Sequence, residues 1–347
     1  MSVERYVTTF LFKIYKSLVR CFRWTGLGKR WPFESIHHAL VAWLKPRSVS
    51  IGKHTLILDR KDSCKLSSSD AHVFELEFLR GRIRPGDVVL DIGANIGLYT
   101  LVFAECVQDS GHVFAFEPHP PSFALLERNI QLNGVGNVTL VPCAVSDETG
   151  TTDLYVSRTH NGIHRIHKSP LCREVIRVPS VRLDDYFAQY DRSIDLVKID
   201  IEGEEYRALQ GMKQILRSNP SIGLFLEYAP CWIQEAGFPL DQVPSLLRED
   251  GFELFHVNER AKHVEPVDLP RVTEAYPART KEVTNFWCAR SAYKIMQPGF
   301  VLGSTERPVR RAETTVSGQR DSPTDRTMRA VVENRPAQER PDGIGRK

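Results

Sequence analysis

The sequence predicts a doubly wound α/β fold, a mostly parallel sheet with helices on both faces, and three observations carry that prediction. Short apolar, β-branched runs alternate with helical stretches from residue 87 to residue 256, and such alternation makes a parallel sheet covered on both sides. The first run ends in an acidic residue and a glycine-bearing turn, VVLDIGANIGLYT at 88–100, and folds of this class bind ligands at the carboxyl ends of their strands. Of the 347 residues, 41% are hydrophobic, enough to bury a core.

Residues 3–24 place Val3, Val7, Phe10, Leu11, Ile14, Leu18 and Phe22 three and four apart, with Arg5, Lys13, Lys16, Arg20 and Arg23 mostly off that stripe. This is the period of one helix face. A basic amphipathic helix with aromatics suits an anionic membrane surface, although the same stripe also suits packing on the domain or against a second copy. Ser35 is positioned to cap a short helix running to residue 44. SVSIGKHTLILDR, at 48–60, alternates around Gly52 and reads as a strand or hairpin. Ser69 or Asp70 opens a helix that runs through Leu79 and breaks at RPGD. Strands are then expected at 87–92, 112–116, 138–142, 194–199, 222–227 and 252–256, and helices at 97–107, 120–133, 204–217 and 239–250. Beyond residue 296, five prolines and a single aromatic, Phe300, mark a tail that cannot bury enough apolar surface to offset its ordering entropy. The chain thus divides into an N-terminal helical extension at 1–47, a domain at 48–295 and a disordered basic tail at 296–347.

The net charge of +3 conceals an uneven distribution. Residues 1–31 carry seven Lys/Arg against one acid and residues 296–347 ten against seven, which leaves 29 against 35 in the body. An acidic body argues against nucleic-acid binding, which needs a basic stripe for phosphates. The seven cysteines are scattered and form no C-x-x-C pair, as expected in a reducing compartment without structural zinc. No apolar run reaches the roughly 18 to 20 residues that span a bilayer. The expected location is therefore cytoplasmic, with residues 3–24 as the candidate for peripheral membrane contact.

A nicotinamide or flavin turn reads G-x-G-x-x-G, its second glycine letting the backbone touch a pyrophosphate. Here the order is Asp91-x-Gly93-x-x-x-Gly97, with Asn95 where that second glycine would stand and no Walker lysine. A nucleoside with a cationic amino-acid end suits this turn better, and S-adenosylmethionine has that form. The glycines would admit its methionine part, and Asp91 would lie near its ammonium directly or through water. The next strand, HVFAFEP, ends in Glu117, twenty residues after Gly97. A carboxylate there accepts hydrogen bonds from both ribose hydroxyls.

The segments GDVVLDIGANIGLYT, FAFEPHPPSFALLERNIQLNG, VPCAVSDETG, DLVKIDIEGEEYRALQG and NFW, in that order, resemble the pattern of the FkbM family of S-adenosylmethionine-dependent methyltransferases across roughly residues 48 to 295. The resemblance implies a class I methyltransferase fold, a seven-stranded sheet with an antiparallel last strand. It also implies O-methylation of hydroxyls on polyketides, sugars or glycolipids. Carried over, it puts Asp91, Gly93, Asn95 and Gly97 around the methionine moiety, Glu117 on the ribose, and Cys143 and Ala144 near the adenine.

Lys198, Asp200, Glu202 and Gly203 close the fourth strand in this pattern. Asp200 and Glu202 share one side of an extended chain by its period of two. Either is a candidate general base for a hydroxyl acceptor, with Lys198 keeping the pair ionised. Two carboxylates seldom cage a divalent ion and the spacing offers no third ligand, so no metal is expected. His160, His164 and His167 lie among loop-forming and basic residues and read as solvated loop histidines rather than zinc ligands. Tyr228, Trp232 and Phe238 are candidates for apolar walls or for core. Three other readings stay open at this level: an N-methyltransferase, a nicotinamide-dependent oxidoreductase, which Asn95 disfavours, and a non-catalytic membrane-docked nucleoside binder, against which the KIDIEG carboxylates argue.

Overall fold

A computed structural model describes residues 47–59, 72–157, 164–168 and 172–290. The helices expected at 3–24 and 35–44, the capping residues Ser69 and Asp70, His160 and the C-terminal tail lie outside the described residues. In chain order the elements are β1 (Ser48–Ile51), β2 (His54–Ile57), α1 (Val73–Arg80), β3 (Val88–Ile92), α2 (Leu98–Val107), β4 (His112–Phe116), α3 (Pro120–Leu132), β5 (Val138–Val141), β6 (Ala144–Ser146), β7 (Gly150–Ser157) and β8 (Cys172–Arg182). They continue with α4 (Leu183–Tyr186), β9 (Leu196–Ile199), α5 (Glu205–Gln210), α6 (Lys213–Ser218), β10 (Gly223–Tyr228), α7 (Pro230–Glu235), α8 (Gln242–Glu249), β11 (Glu253–Asn258), β12 (His263–Pro266), α9 (Leu269–Ala275) and β13 (Thr284–Ala289).

The main sheet has the order β12-β11-β13-β10-β9-β3-β4-β5. Strands β10, β9, β3, β4 and β5 are parallel, and β13 runs antiparallel to both β10 and β11. The expected seven strands are therefore joined by an eighth, β12. Its sequence, HVEP, is polar and ends in proline, so no apolar alternation announces it, and proline confines it to an edge. The strand order reverses between β3 and β9, which places the carboxyl ends of β3, β4, β9 and β10 around one crevice.

β3 is buried along its whole length. Val88, Leu90 and Ile92 face one apolar layer with Val197, Ile199 and Leu224, while Val89 faces the other with Phe103, Leu196, Phe225 and Trp287. The hairpin expected around Gly52 is β1-β2. Its outer edge is satisfied by Asn129 of α3 and, one helical turn on, by Asn133, the C-cap of that helix. Asn129 Oδ1 accepts from Ile57 N and Asn133 Oδ1 from Thr55 N, both at 2.8 Å, and each amide nitrogen donates back to the same residue's carbonyl. Asn129 also donates to Ile96 O at 2.7 Å, so the hairpin and the glycine turn share one anchor.

Two features differ from the sequence expectation. A separate three-stranded sheet, β6-β8-β7, stands where no strands are expected. The single helix expected at 204–217 is instead α5 and α6, broken at Gly211. A Cβ on Gly211 would stand 2.1 Å from the Ser146 carbonyl oxygen, so β6 presses directly on the junction. Asp184 then caps α6 from outside, accepting from Gln214 N at 3.1 Å and Ile215 N at 3.0 Å. Overpacking of this kind costs about 1–3 kcal/mol. Gly211→Ala is accordingly expected to lose about that much in urea denaturation, while Gly136→Ala, with nothing within 4 Å of its added Cβ, changes stability by less than about 0.5 kcal/mol.

Candidate active site

The turn after β3 uses three left-handed residues, Gly93 (φ +78°), Asn95 (φ +50°) and Gly97 (φ +94°). Gly93 N and Ala94 N both donate to Phe116 O at 3.0 Å, which wraps the turn over the end of β4. A Cβ on Gly93 would stand 1.9 Å from the Asp200 carbonyl oxygen. The glycine is thus demanded by the protein's own backbone, not only by ligand room as the motif suggests. Asn95 tolerates its left-handed φ better than most residues, and its amide donates to Glu117 Oε2 at 2.8 Å. Glu117 Oε1 accepts from His119 N at 2.9 Å. The carboxyl is only 6% exposed, and burial pushes it up to about 7 against the pull of those two amides. Each of its oxygens holds one amide and keeps a lone pair to spare.

Asp91 has no exposed surface. Thr100 Oγ1 donates to its Oδ2 at 2.6 Å, and Lys198 Nζ lies 3.4 Å from its Oδ1. The same ammonium lies 3.4 Å from Asp200 Oδ2, donates to Gly93 O at 3.3 Å and sits 4.9 Å from the centroid of the Tyr99 ring. Burial would lower the Lys198 pKa, but Asp200 and Asp91 together raise it. Asp91, expected beside the donor's ammonium directly or through water, is buried beneath the turn, with Lys198 Nζ standing between it and Asp200.

Asp200 and Glu202 do converge, though not by strand pleat. β9 ends at Ile199, and Glu202 (φ +59°) and Gly203 (φ +101°) turn the chain through the left-handed region. A Cβ on Gly203 would stand 2.5 Å from the Trp232 carbonyl carbon, so α7 packs on this turn. Glu205 Oε1 accepts from Ile201 N and Gly203 N, both at 3.2 Å, and burial raises its carboxyl to about 7. The fold adds an acid that the sequence reading did not single out. One carboxylate oxygen from each of Asp200, Glu202 and Glu227 lies within 4.8 Å of the others. Among the described residues these three form the group able to surround a cation, one ligand more than spacing revealed. Burial, then the charges of Asp200, Glu202 and Glu205, push Glu227 well above the usual carboxylate range.

Arg165 is the other residue missed. Its guanidinium is buried, 3.6 Å above the Trp232 ring, 3.3 Å from Glu235 Oε2 and 3.9 Å from Glu202 Oε2. Its backbone exchanges two hydrogen bonds with Tyr155 of β7. This pinning overturns the reading of solvated loop histidines for its neighbours. The His164 ring packs 3.8 Å from that of His119, and burial pushes it down to about 3. His167 Nδ1 lies 2.8 Å from Glu204 Oε1. Cys143 and Ala144 follow β5 and are buried, Cys143 in the same layer as Phe116 and Phe187. Tyr228 is core, stacked on Phe286 at 4.6 Å, and Phe238 packs on Tyr206 at 5.1 Å.

The first turn of α1 supplies a further wall. Glu75, buried, accepts from Tyr99 Oη at 2.7 Å and from Asn285 Nδ2 at 2.7 Å, and its Oε2 lies 2.9 Å from His72 Nδ1. Glu259 accepts from Glu75 N at 3.0 Å and fixes the start of the helix. Asn285 is the register partner of Glu227, so this cluster stands at the same sheet edge as the carboxylates.

Residues 91–254 match the family described as Methyltransferase FkbM domain. The 31-O-demethyl-FK506 methyltransferase FkbM of Streptomyces tacrolimicus is 32% identical over 200 residues, covering 49% of this chain and 74% of that protein. The 2-O-methyltransferase NoeI of Sinorhizobium fredii is 28% identical over 187 residues, with 49% and 74% covered. The hexuronic acid methyltransferase AglP of Haloferax volcanii is 28% identical over 134 residues, with 38% and 52% covered.

The raised Glu117 carboxyl has a measurable consequence. Between its ordinary value of 4.5 and about 7 the folded apoprotein holds a proton there that the unfolded chain releases. Its contribution to stability is therefore complete below about 4.5 and lost as pH rises through about 7. Glu117→Gln removes that dependence. Urea denaturation from pH 5 to pH 8 is expected to show the variant gaining on wild type by about 1–3 kcal/mol in all.

Proposed function

This chain belongs to the FkbM methyltransferase family, and on that premise we propose that it methylates a hydroxyl of a glycan, glycolipid or secondary-metabolite acceptor. It is an S-adenosylmethionine-dependent methyltransferase, and family membership removes the nicotinamide alternative. The observation that carries the reading is the contact between Gly93 and the Asp200 carbonyl, because whatever rests on the glycine turn is thereby presented to Asp200 and Glu202.

When bound, S-adenosylmethionine supplies a methyl carbon already activated by its sulfonium. The protein has to hold the donor, orient the acceptor and receive a proton. The donor set fits such a ligand: a buried carboxylate with one spare lone pair on each oxygen matches two ribose hydroxyls. In this reading Glu117 binds the ribose, Gly93, Asn95 and Gly97 carry the methionine part, and the chain at Cys143 and Ala144 borders the adenine. Asp91 acts from beneath, holding Lys198 and through it the Gly93 carbonyl. Asp200 and Glu202 accept hydrogen bonds from neighbouring hydroxyls of the acceptor and so aim the reacting oxygen. Each carboxylate already faces a cation, Lys198 at 3.4 Å and Arg165 at 3.9 Å, which suits orientation better than proton uptake. The relative described as a hexuronic acid methyltransferase supports a sugar acceptor, and the one described as a 2-O-methyltransferase supports an oxygen acceptor. The basic residues among 3–24 favour a glycan carried at a membrane surface.

Isothermal titration with S-adenosylhomocysteine tests the donor site. Saturable binding is expected, about tenfold or more weaker in Glu117→Ala, with none for NAD; preference for NAD would sink the assignment. Transfer of tritiated methyl to methyl hexuronosides and neutral methyl hexosides tests the acceptor side. Asp200→Asn and Glu202→Gln are expected to lower kcat by about 100-fold through misplacement of the acceptor while binding S-adenosylhomocysteine normally. Wild-type turnover in both would remove these carboxylates from the reaction.

A further inference from the structure

The cluster at the start of α1 holds none of the residues assigned to the donor above. We propose that His72, held by Glu75, is the general base that removes the proton from the acceptor hydroxyl. The proposal rests on the O-methylation reading above and adds to it the atom that receives the proton.

Hydrogen-bond logic selects that atom. The Glu75 carboxylate is buried and accepts from two obligatory donors, Tyr99 Oη and Asn285 Nδ2. It faces His72 Nδ1 at 2.9 Å as an acceptor too, so Nδ1 carries the ring proton. The lone pair of the neutral ring is then on Nε2. The His72 side chain is 36% exposed, and since its Nδ1 end is packed against Glu75 and Tyr99, the reachable end is Nε2. The backbone is committed to this placement, with His72 at φ +63° immediately before the helix, a conformation that neighbouring structure must enforce.

Position selects the reaction. Tyr99 is the second residue of α2, directly after the glycine turn, and its ring lies beside the Lys198 ammonium that binds Asp200. Asn285, the other ligand of Glu75, is opposite Glu227 in the sheet. His72 is therefore joined, through Glu75, to the Tyr99 ring that borders Lys198 and to the Asn285 that lies opposite Glu227. The charged and titratable groups facing it are Glu75 on its own helix, Tyr99 on α2, Asp200 after β9 and Glu259 after β11. Burial lowers the His72 pKa, but the Glu75 bond and charge, with Asp200 and Glu259, raise it overall. A base stronger than free imidazole suits proton abstraction from a hydroxyl.

The step balances without further reactants. The acceptor oxygen forms a bond to the methyl carbon as the carbon–sulfur bond breaks and its electron pair stays on sulfur. The hydroxyl proton passes to His72 Nε2, where Glu75 neutralises the imidazolium, and then leaves to solvent.

Two measurements test this. The first needs no acceptor: ¹⁵N NMR of histidine-labelled protein during titration with S-adenosylhomocysteine. The expected result is an Nδ1–H tautomer for His72, an Nε2 signal that shifts when S-adenosylhomocysteine binds, and a lower titration midpoint in Glu75→Gln. An Nε2–H tautomer, or a His72 signal indifferent to bound S-adenosylhomocysteine, overturns the proposal while leaving the donor-site reading intact. Failure of S-adenosylhomocysteine to bind at all defeats the O-methylation reading instead, and this proposal with it. The second is methyl transfer to methyl hexuronosides and neutral methyl hexosides by His72→Ala. A fall in kcat of about 10²–10⁴-fold is expected, with S-adenosylhomocysteine affinity unchanged and activity restored by added imidazole. Wild-type turnover by His72→Ala overturns it.

Discussion

Lys198 holds an ammonium that is 2% exposed between carboxylates on either side, Asp91 and Asp200. A buried charge is tolerated only when it is paired and hydrogen-bonded, and removing one partner of such a set costs several kcal/mol. The register of two parallel strands supplies that partner, since Asp91 of β3 lies opposite Lys198 of β9. The rest of the edge follows from this arrangement. The ammonium fixes the Gly93 carbonyl, the glycine turn closes on Asp200, and Asn95 is left with its amide directed at Glu117. A substitution that shifted β3 against β9 by one residue would unpair the charge and move every group of the crevice.

The carboxyl ends of the parallel strands also collect more acids than cations. Glu117, Glu205 and Glu227 are all raised by burial, and each would be relieved by a cation or a hydroxyl donor. A crevice of this kind favours a ligand that brings positive charge and many hydroxyl hydrogens. A sulfonium donor has the first property, and the hydroxylated acceptor proposed above has the second. The protein meets part of the excess itself with Arg165, which the small sheet delivers from β7 and which Trp232 covers on one face. Arginine suits this place because its planar cation stacks on an aromatic ring while keeping donors in the plane.

Two separate devices wall the crevice. The β6-β8-β7 sheet carries Arg165 toward α7 and Glu202, and the start of α1 carries Glu75 and His72 toward Tyr99 and Asn285. Neither belongs to the parallel sheet, and both are attached to it by side-chain hydrogen bonds or ion pairs instead of strand pairing. The parallel sheet thus carries Asp200, Glu202 and Glu227 at its carboxyl edge, and the two additions bring Arg165 and His72 to its flanks.

Strand–helix alternation, the glycine turn and the acid closing the next strand determined the fold class and the residues around the turn, because these depend on local period and backbone conformation. Apolar runs such as VVLDI and HVFAF mark parallel strands through their burial on both faces, and the strands expected at 112–116 and 138–142 lie within a residue of their observed limits. Tertiary structure alone decided what the polar residues do. Nothing in the spacing of Glu227, Arg165 or His72 announces their partners, since strand order and packing bring Glu227 beside Asp200 and Glu202, Arg165 beside Glu202, and Glu75, the partner of His72, beside Asn285. Asp91 reads as a ligand contact from its place before a glycine turn, and the register with Lys198 adds an ion pair beneath that turn which local sequence does not announce. Local sequence sets which elements form and where they turn, but the partner of a buried charge is chosen by the topology that carries the two strands into contact.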